Sequence, residues 1–207
     1  NISFLASTGS FTLRNRLGTG RATLNIANVA STTGYQPVIN FDLTGHPTDM
    51  LVGTLTLSAK TATTGASTTA TMSMDTGTFD ASTVMIANRA SNDAGTTTGT
   101  LNLGGALAFN VGVAGMTIGN STITSNANGA SVVASVNVTG TPTLTILGPI
   151  TLGASSNAAG PVAASLIVNG GTLDVRGNIV KGTGAGSGSV TSTLTLDNAS
   201  LNLNGFV

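Results

Sequence analysis

A pair of apolar residues separated by one other residue recurs along the whole chain and constrains its fold more than any other feature. The stretch "LIVNGGTLDVRGNIVKG" (166–182) holds such pairs at Leu166/Val168 and Leu173/Val175, followed by Ile179. Residues two apart point to the same face of a β-strand. Because Gly and Asn separate the pairs, the stretch predicts three short strands joined by tight corners.

Seven units of this kind follow one another, and their first pairs start roughly 30 residues apart. The first pairs are Ile2/Phe4, Phe41/Leu43, Met72/Met74, Leu101/Leu103, Val136/Val138, Leu166/Val168 and Leu194/Leu196. The second pairs are Phe11/Leu13, Met50/Val52, Phe79/Ala81, Leu107/Phe109, Leu144/Ile146, Leu173/Val175 and Leu201/Leu203. The third pairs are Leu24/Ile26, Leu55/Leu57, Val84/Ile86, Met116/Ile118 and Ile150/Leu152, followed by Ile179 alone and then Phe206. Segments rich in small residues, such as 58–70, 154–164 and 181–192, follow the third pairs and are predicted to be loops.

This recurrence predicts an all-β fold, a parallel β-solenoid, most simply a right-handed β-helix of about seven three-strand rungs. A rung is one turn of the chain around a central axis, and successive rungs lie about 4.8 Å apart. A two-sheet β-sandwich is the main alternative, since short strands with turn signals also suit it. The sandwich does not require three pairs and a loop to recur in register. We predict one β-solenoid domain over 1–207, with a degenerate first rung and insertion at 1–38 and regular rungs at 39–207.

Composition narrows the function classes. Hydrophobic residues make up 40% of the chain, charged residues 7%, and the net charge is zero. This balance argues against disorder and against electrostatic attraction to nucleic acid. The absence of Cys excludes disulfides and thiolate metal sites, and no apolar run reaches the length of a membrane span. The start at "NISFLAS", without Met, is expected of a piece of a mature or longer protein.

Three stretches carry a resemblance to a known group of proteins. "TLNLGGALAF", "SLIVNGGTLDVRGNIVKG" and "STLTLDNASLNLNG" resemble the repeats of secreted bacterial parallel β-helix proteins, which include autotransporter passenger domains and adhesin-like extracellular repeat proteins. The resemblance covers most of residues 39–207. It implies export to the cell surface or medium and a mechanical or adhesive role, and it brings no shared catalytic residues.

Parallel β-helices also include polysaccharide lyases and hydrolases, whose sites need clustered Asp, Arg or Lys. Asp80 and Asp174 share a predicted outer face but stand three rungs apart, about 14 Å, which is too far for cooperating carboxylates. The stretch "TGHPTD" holds His46 with Asp49 nearby, but no nucleophile-elbow motif is present to complete a catalytic triad. His46 is most simply part of a turn. We therefore predict that the protein is not an enzyme, with no catalytic, cofactor-binding or metal-ligating residues and no cofactor.

Other polar features have structural interpretations. Lys181 occupies a position where other units have an apolar residue, and we expect its side chain to turn outward. Arg14, Arg16 and Arg21 form a basic cluster that is either a solvated rim or a contact for an acidic partner. A ladder of Thr-x-Thr motifs could bind ice, but the predicted outward column of the third strands is not uniform: Asn25, Thr56, Met85, Thr117, Thr151 and Val180.

The expected function is that of a structural or adhesive extracellular β-solenoid segment, such as a unit of a surface fibre or filament. A carbohydrate-active or glycan-binding β-helix module is the alternative, and an ice-binding solenoid is the third. The expected partners are further rungs, through head-to-tail self-association or continuation of the same solenoid, with surface glycans as a second class of partner. Nucleic acid and a membrane span are not expected, and the expected location is extracellular or at the cell surface.

Overall fold

The computed structural model describes residues 2–3, 9–30, 35–63, 65–123, 130–156, 160–182, 184 and 189–204. This part of the chain forms eighteen β-strands and no helix, so it contains no helix that could cross a membrane. The strands are β1 (Ile2–Ser3), β2 (Phe11–Leu13), β3 (Ala22–Val29), β4 (Val38–Asp42), β5 (Thr48–Lys60), β6 (Thr68–Met74), β7 (Gly77–Arg89), β8 (Thr96–Leu103), β9 (Ala108–Val111), β10 (Met116–Ser121), β11 (Ser131–Thr139), β12 (Thr143–Ile146), β13 (Ile150–Ser155), β14 (Val162–Asn169), β15 (Thr172–Val175), β16 (Ile179–Lys181), β17 (Val190–Asp197) and β18 (Ser200–Leu203).

The strands stack into two sheets that wind around one core. The first sheet has the order β1-β4-β6-β8-β11-β14-β17 and collects the first strand of every rung. The second sheet has eleven strands and collects the second and third strands. Every pair between the described strands is parallel. A β-sandwich of hairpins requires antiparallel pairs, so the chain is a parallel β-solenoid.

The rungs differ from the prediction in number and in strand division. About five full turns lie between a shortened first rung and a seventh rung with two described strands, β17 and β18. In the second and third rungs the predicted second and third strands are one continuous strand, β5 and β7. The predicted loops are also too long at their ends, because residues 58–60 belong to β5, residues 154–155 to β13 and residues 162–164 to β14.

The register of the core confirms most of the predicted pairs. The first pairs align from Phe41 to Leu194, and the third pairs align from Leu24 to Ile179. These positions form continuous inward columns of Leu, Val, Ile, Met and Phe. Phe4 and Phe206, which were predicted to extend two of these columns, lie outside the described residues.

Two of the predicted second pairs are displaced by two residues. In the fourth rung Phe109 and Val111, rather than Leu107 and Phe109, align with the second pairs of neighbouring rungs. In the first rung Leu13 pairs with Met50, whereas the prediction aligned Phe11 with Met50. A shift of two residues preserves which face a side chain points to, so the error changed the register without reversing inside and outside.

A left-handed bend recurs after each third pair. The bend residues are Ala27, Ser58, Ala87, Gly119 and Gly153, with φ of 55°, 60°, 56°, 79° and 68°. The strand ladder skips each of them and resumes at the following residue. Because one residue drops out of the alternation, the position three residues after each third pair points into the solenoid.

Candidate functional site

The inward position that follows the left-handed bend carries the two charged residues that are fully buried in the described part of the chain. This column consists of Val29, Lys60, Arg89, Ser121 and Ser155. Lys60 and Arg89 are both 0% exposed. Together with Asp93 they form what we call the ionic cluster.

Asp93 lies in the connection after β7 and accepts hydrogen bonds from both cations. Its Oδ2 is 3.0 Å from Lys60 Nζ, and its Oδ1 is 3.2 Å from Arg89 Nη2. The hydroxyl of Ser91 donates to Oδ1 at 2.5 Å, and the amide of Gly65 donates to Oδ2. Four donors therefore occupy the acceptor sites of one carboxylate.

The two cations also hold the backbone of the neighbouring connections. Lys60 donates to Ala66 O and, at 2.9 Å, to Ala94 O. With Asp93 this accounts for the three protons of an ammonium group. Arg89 donates to four backbone carbonyls within residues 91–95, including Gly95 O at 2.7 Å. The cluster thereby ties two successive rung-to-rung connections to the strands that precede them.

The protonation states follow from the same contacts. Burial alone would raise the pKa of Asp93, but the hydrogen bonds from Ser91, Lys60 and the Gly65 amide outweigh it and hold the pKa well below its usual range. Burial lowers the pKa of Lys60, and the hydrogen bond to Asp93 opposes that change. The carboxylate is held ionised and all its acceptor sites are used, so the geometry suits a structural clamp better than acid–base chemistry.

A second polar arrangement lies on the outside, at the corner between the first and second strands. A shallow recess of about 420 Å³ spans the second to fifth rungs there, and we call it the corner recess. Its polar lining includes Thr44, Ser73, Asp75, Asn102, Asn137 and Thr139. In the described residues, no group of three or more His, Cys, Asp or Glu is placed to hold a metal ion.

The structure keeps the predicted carboxylates apart. Asp80 pairs with Asn110, which pairs with Thr145, which pairs with Asp174, so the two Asp residues are three rungs apart as expected. Asp174 accepts a hydrogen bond from Asn204 at 2.7 Å.

His46 and Asp49 both take part in structural contacts. His46 lies in a turn, where its amide donates to Leu43 O at 3.1 Å, and its side chain is buried. The carboxylate of Asp49 binds Arg14 across the rung interface at 2.5 Å. The turn prediction for "TGHPTD" is therefore confirmed.

Two residues of the basic cluster at 14–21 form ion pairs with Asp residues of the same chain. Arg14 binds Asp49 on the next rung, and Arg21 binds Asp80 two rungs away at 3.0 Å. Arg21 also donates to Val52 O and Asp80 O, so the insertion of the first rung is fastened along the second sheet. Arg16 is exposed.

The other polar positions lie where the sequence predicted. Lys181 pairs with Leu152 in the third-strand column and is exposed. The outward third-strand column also has the predicted, non-uniform composition from Asn25 to Val180.

Sequence reasoning missed the ionic cluster because it assigned Lys60 to a loop. A signal was present in the sequence: the position three residues after the third pair carries a long cationic residue in two consecutive rungs. The residues at this position are Val29, Lys60, Arg89, Ser121 and Ser155. The alternation of strand residues alone would not turn that position inward. The left-handed bend was needed, and its residues in the first three rungs are not Gly.

Comparison of this chain with models of known protein families, with curated proteins and with solved structures finds no match. The fold and the geometry of the sites therefore carry the functional argument.

Proposed function

We propose that this chain is a structural or adhesive segment of an extracellular β-solenoid fibre, of the kind found in secreted bacterial β-helix proteins. The observation that supports this proposal most is the state of the seventh rung. Leu194, Leu196 and Leu203 are 39%, 40% and 52% exposed, although they continue the core columns of the solenoid. The residues that they stack on in the sixth rung are at most 1% exposed.

In the seventh rung, residues at core positions are therefore exposed to solvent. Burying one Leu side chain fully stabilises a protein by about 1.5–3 kcal/mol, and the outer strands also offer a row of backbone donors and acceptors to a further parallel strand. A further rung would bury these Leu side chains and pair with these backbone groups, whether it comes from the same polypeptide or from a second copy stacked head to tail. Contacts of the second kind do not close on themselves and generate a filament.

The first and second rungs, near the opposite end, also have an apolar recess among their described residues. A recess of about 150 Å³ is lined by Leu24, Asn25, Ile26, Ile39 and Phe41, which belong to the first and second rungs. Side chains from a neighbouring rung can fill an opening of this kind, which supports stacking at both ends.

Light scattering coupled to size-exclusion chromatography tests the stacking form of the proposal. The 207-residue chain should associate more as its concentration rises, and Leu196→Lys should shift it towards the monomer, because the charge interrupts an apolar contact. Ile167→Lys is the matched control, since Ile167 lies on the side of the sixth rung and is already 38% exposed. A concentration-independent monomer with well-protected amides in β17 and β18 would contradict the stacking form.

A further inference from the structure

Gly104 leaves open space in the floor of the corner recess. It directly follows the first strand of the fourth rung, β8, and lies between Asp75 of the rung below and Thr139 of the rung above. A Cβ placed on Gly104 would lie 3.5 Å from Asp75 Cβ and 3.7 Å from Thr139 Oγ1, which is ordinary van der Waals contact. The chain can therefore accommodate a side chain at position 104, and the space that it would occupy is the floor of the recess.

The neighbouring glycine has a different reason to be there. Gly105 has φ of 53°, and a Cβ on it would lie 2.3 Å from Asp75 O. The turn therefore requires Gly105, whereas neither a positive φ nor a backbone clash requires Gly104. A substitution at Gly104 can therefore change the shape of the recess while Gly105 keeps the turn intact.

Amide and hydroxyl groups line the recess in a fixed order. Asn137 Nδ2 donates to Asn102 Oδ1 at 3.0 Å, and Asn102 Nδ2 donates to Ser73 Oγ at 3.2 Å. Each of these amides uses one of its two protons in the ladder and keeps the other for an outside acceptor. Because the groups are linked rung to rung, their donors are held in place before any ligand arrives.

Asp75 supplies the charge of the recess. Both of its oxygens accept the Gly45 amide, at 3.0 and 2.9 Å, and each oxygen can accept one more hydrogen bond. Asp75 is also the charged residue of the recess lining. The recess therefore offers acceptors on one side and neutral donors on the other, and it repels anions.

We propose that the corner recess binds a neutral glycan. Neighbouring sugar hydroxyls donate and accept hydrogen bonds at once, which matches a carboxylate that faces a ladder of amides. The volume of about 420 Å³ lies within the usual range of small-molecule sites, about 300–1,000 Å³, and it suits a short oligosaccharide. Acidic sugars are disfavoured because their carboxylates approach Asp75.

The affinity should be weak. The lining of the recess contains no aromatic residue on which a sugar ring could stack, and the recess is open to solvent. We expect dissociation constants in the millimolar range for a single disaccharide. Many copies of the recess in a fibre would raise the effective affinity for a polysaccharide. That gain depends on the proposed fibre function, but the binding of one disaccharide does not, so the two proposals can fail separately.

NMR titration of the isotope-labelled chain with cellobiose, lactose and N,N′-diacetylchitobiose tests the site. At least one of these neutral disaccharides should shift the amide signals of residues 73–75, 102–105 and 137–139. A disaccharide that contains glucuronic acid should shift them at least tenfold less at equal concentration. Asp75→Asn should narrow that difference, because it removes the repulsion and keeps an oxygen for the Gly45 amide.

Gly104→Asn is the decisive variant, because its side chain fills the recess while the corner keeps Gly105. It should weaken disaccharide binding at least tenfold and leave the melting temperature within a few degrees of the original. Ser165→Asn is the control, since it adds a side chain to the same sheet outside the recess. The proposal is overturned if no neutral disaccharide shifts these signals, if the shifts map elsewhere, or if Gly104→Asn binds as the original chain does.

Discussion

The second and third rungs and the fourth and fifth rungs solve the same structural problem with different residues. At the inward position after the left-handed bend, the earlier rungs place Lys60 and Arg89, whereas the later rungs place Ser121 and Ser155. The long cationic side chains reach the carbonyls of the following connections and share Asp93. Ser121 is too short to do this, and its buried hydroxyl has no hydrogen-bond partner among the residues that the structure describes.

The bend itself differs in the same way. The first three rungs use Ala27, Ser58 and Ala87 in a left-handed conformation that costs a residue with a Cβ about 1–2 kcal/mol. The fourth and fifth rungs use Gly119 and Gly153, which adopt it freely. In the second and third rungs the strained bend therefore coincides with buried charges that hold the connection, whereas the first rung combines the strained Ala27 with the apolar Val29.

The largest effect should come from removing the shared carboxylate. Asp93→Ala should destabilise the chain by about 3–5 kcal/mol, because it leaves Lys60 and Arg89 buried without a counter-charge. Urea titration measures this, and Asp197→Ala, at an exposed position, should cost less than 0.5 kcal/mol by the same measurement, roughly the scatter for surface substitutions. Equal, small losses from both would show that the ionic cluster does not stabilise these rungs.

A core substitution in the sixth rung, beyond both regions, should cost nearly as much as the loss of Asp93. Leu173 is 0% exposed and pairs with Leu144 and Leu201. Leu173→Ala should destabilise the chain by about 2–5 kcal/mol, because stacked rungs cannot collapse into the space. Ile167→Ala, on the outer face, should cost far less. Similar losses in denaturant titrations would mean that the inward register is wrong.

The sequence predicts the parallel stacking of the strands better than their exact register. The apolar pairs predict the parallel stacking and most columns, because a one-residue slip would expose a whole column. They do not distinguish a position from the one two residues away, so Leu107 was mistaken for Phe109 in the fourth rung. Leu107 is itself fully apolar and buried, and only pairing with Phe79 resolves the register.

The candidate sites depend on contacts that are not local in the sequence. Lys60 and Asp93 belong to different rungs, and the bend that turns Lys60 inward contains Ser58 rather than a Gly that would mark it. The corner recess was equally hidden, because its lining comes from four successive rungs. Its floor depends on Gly104 standing between two side chains of neighbouring rungs.

Acid should affect the two regions unequally. Because the pKa of Asp93 is lowered in the folded chain, its stabilising contribution is complete above the ordinary carboxyl pKa of about 4 and is lost as the pH falls below it. The free energy of unfolding of the original chain should therefore fall more steeply between about pH 4 and pH 2 than that of Asp93→Asn. Parallel curves for the two proteins would show that the ionised carboxylate of Asp93 does not stabilise the folded chain.

The smallest expected effect concerns the hydroxyl pair beside the bend. Ser58 Oγ donates to Thr68 O at 3.1 Å and lies 3.3 Å from Thr68 Oγ1. One rung further Ala87 replaces Ser58, and Thr97 Oγ1 is buried without a hydrogen-bond partner in the described part of the chain. Ala87→Ser should restore the pair and stabilise the chain by about 1 kcal/mol, as seen in its thermal unfolding. Ser58→Ala should cost a similar amount, and a destabilising Ala87→Ser would contradict this explanation of the orphaned hydroxyl.

Hydrogen exchange followed along the chain tests the central claim most directly, namely that stacking orders the solenoid and the ionic cluster locks its earlier rungs. At a concentration low enough to keep the chain monomeric, we expect amides in β5 and β7 to exchange most slowly and those in β17 and β18 to exchange most rapidly among the described strands. Asp93→Ala should accelerate exchange in residues 61–63, 65–67 and 90–95 before it affects β12 and β15. Uniform protection across all rungs, or acceleration in β12 and β15 first, would contradict it.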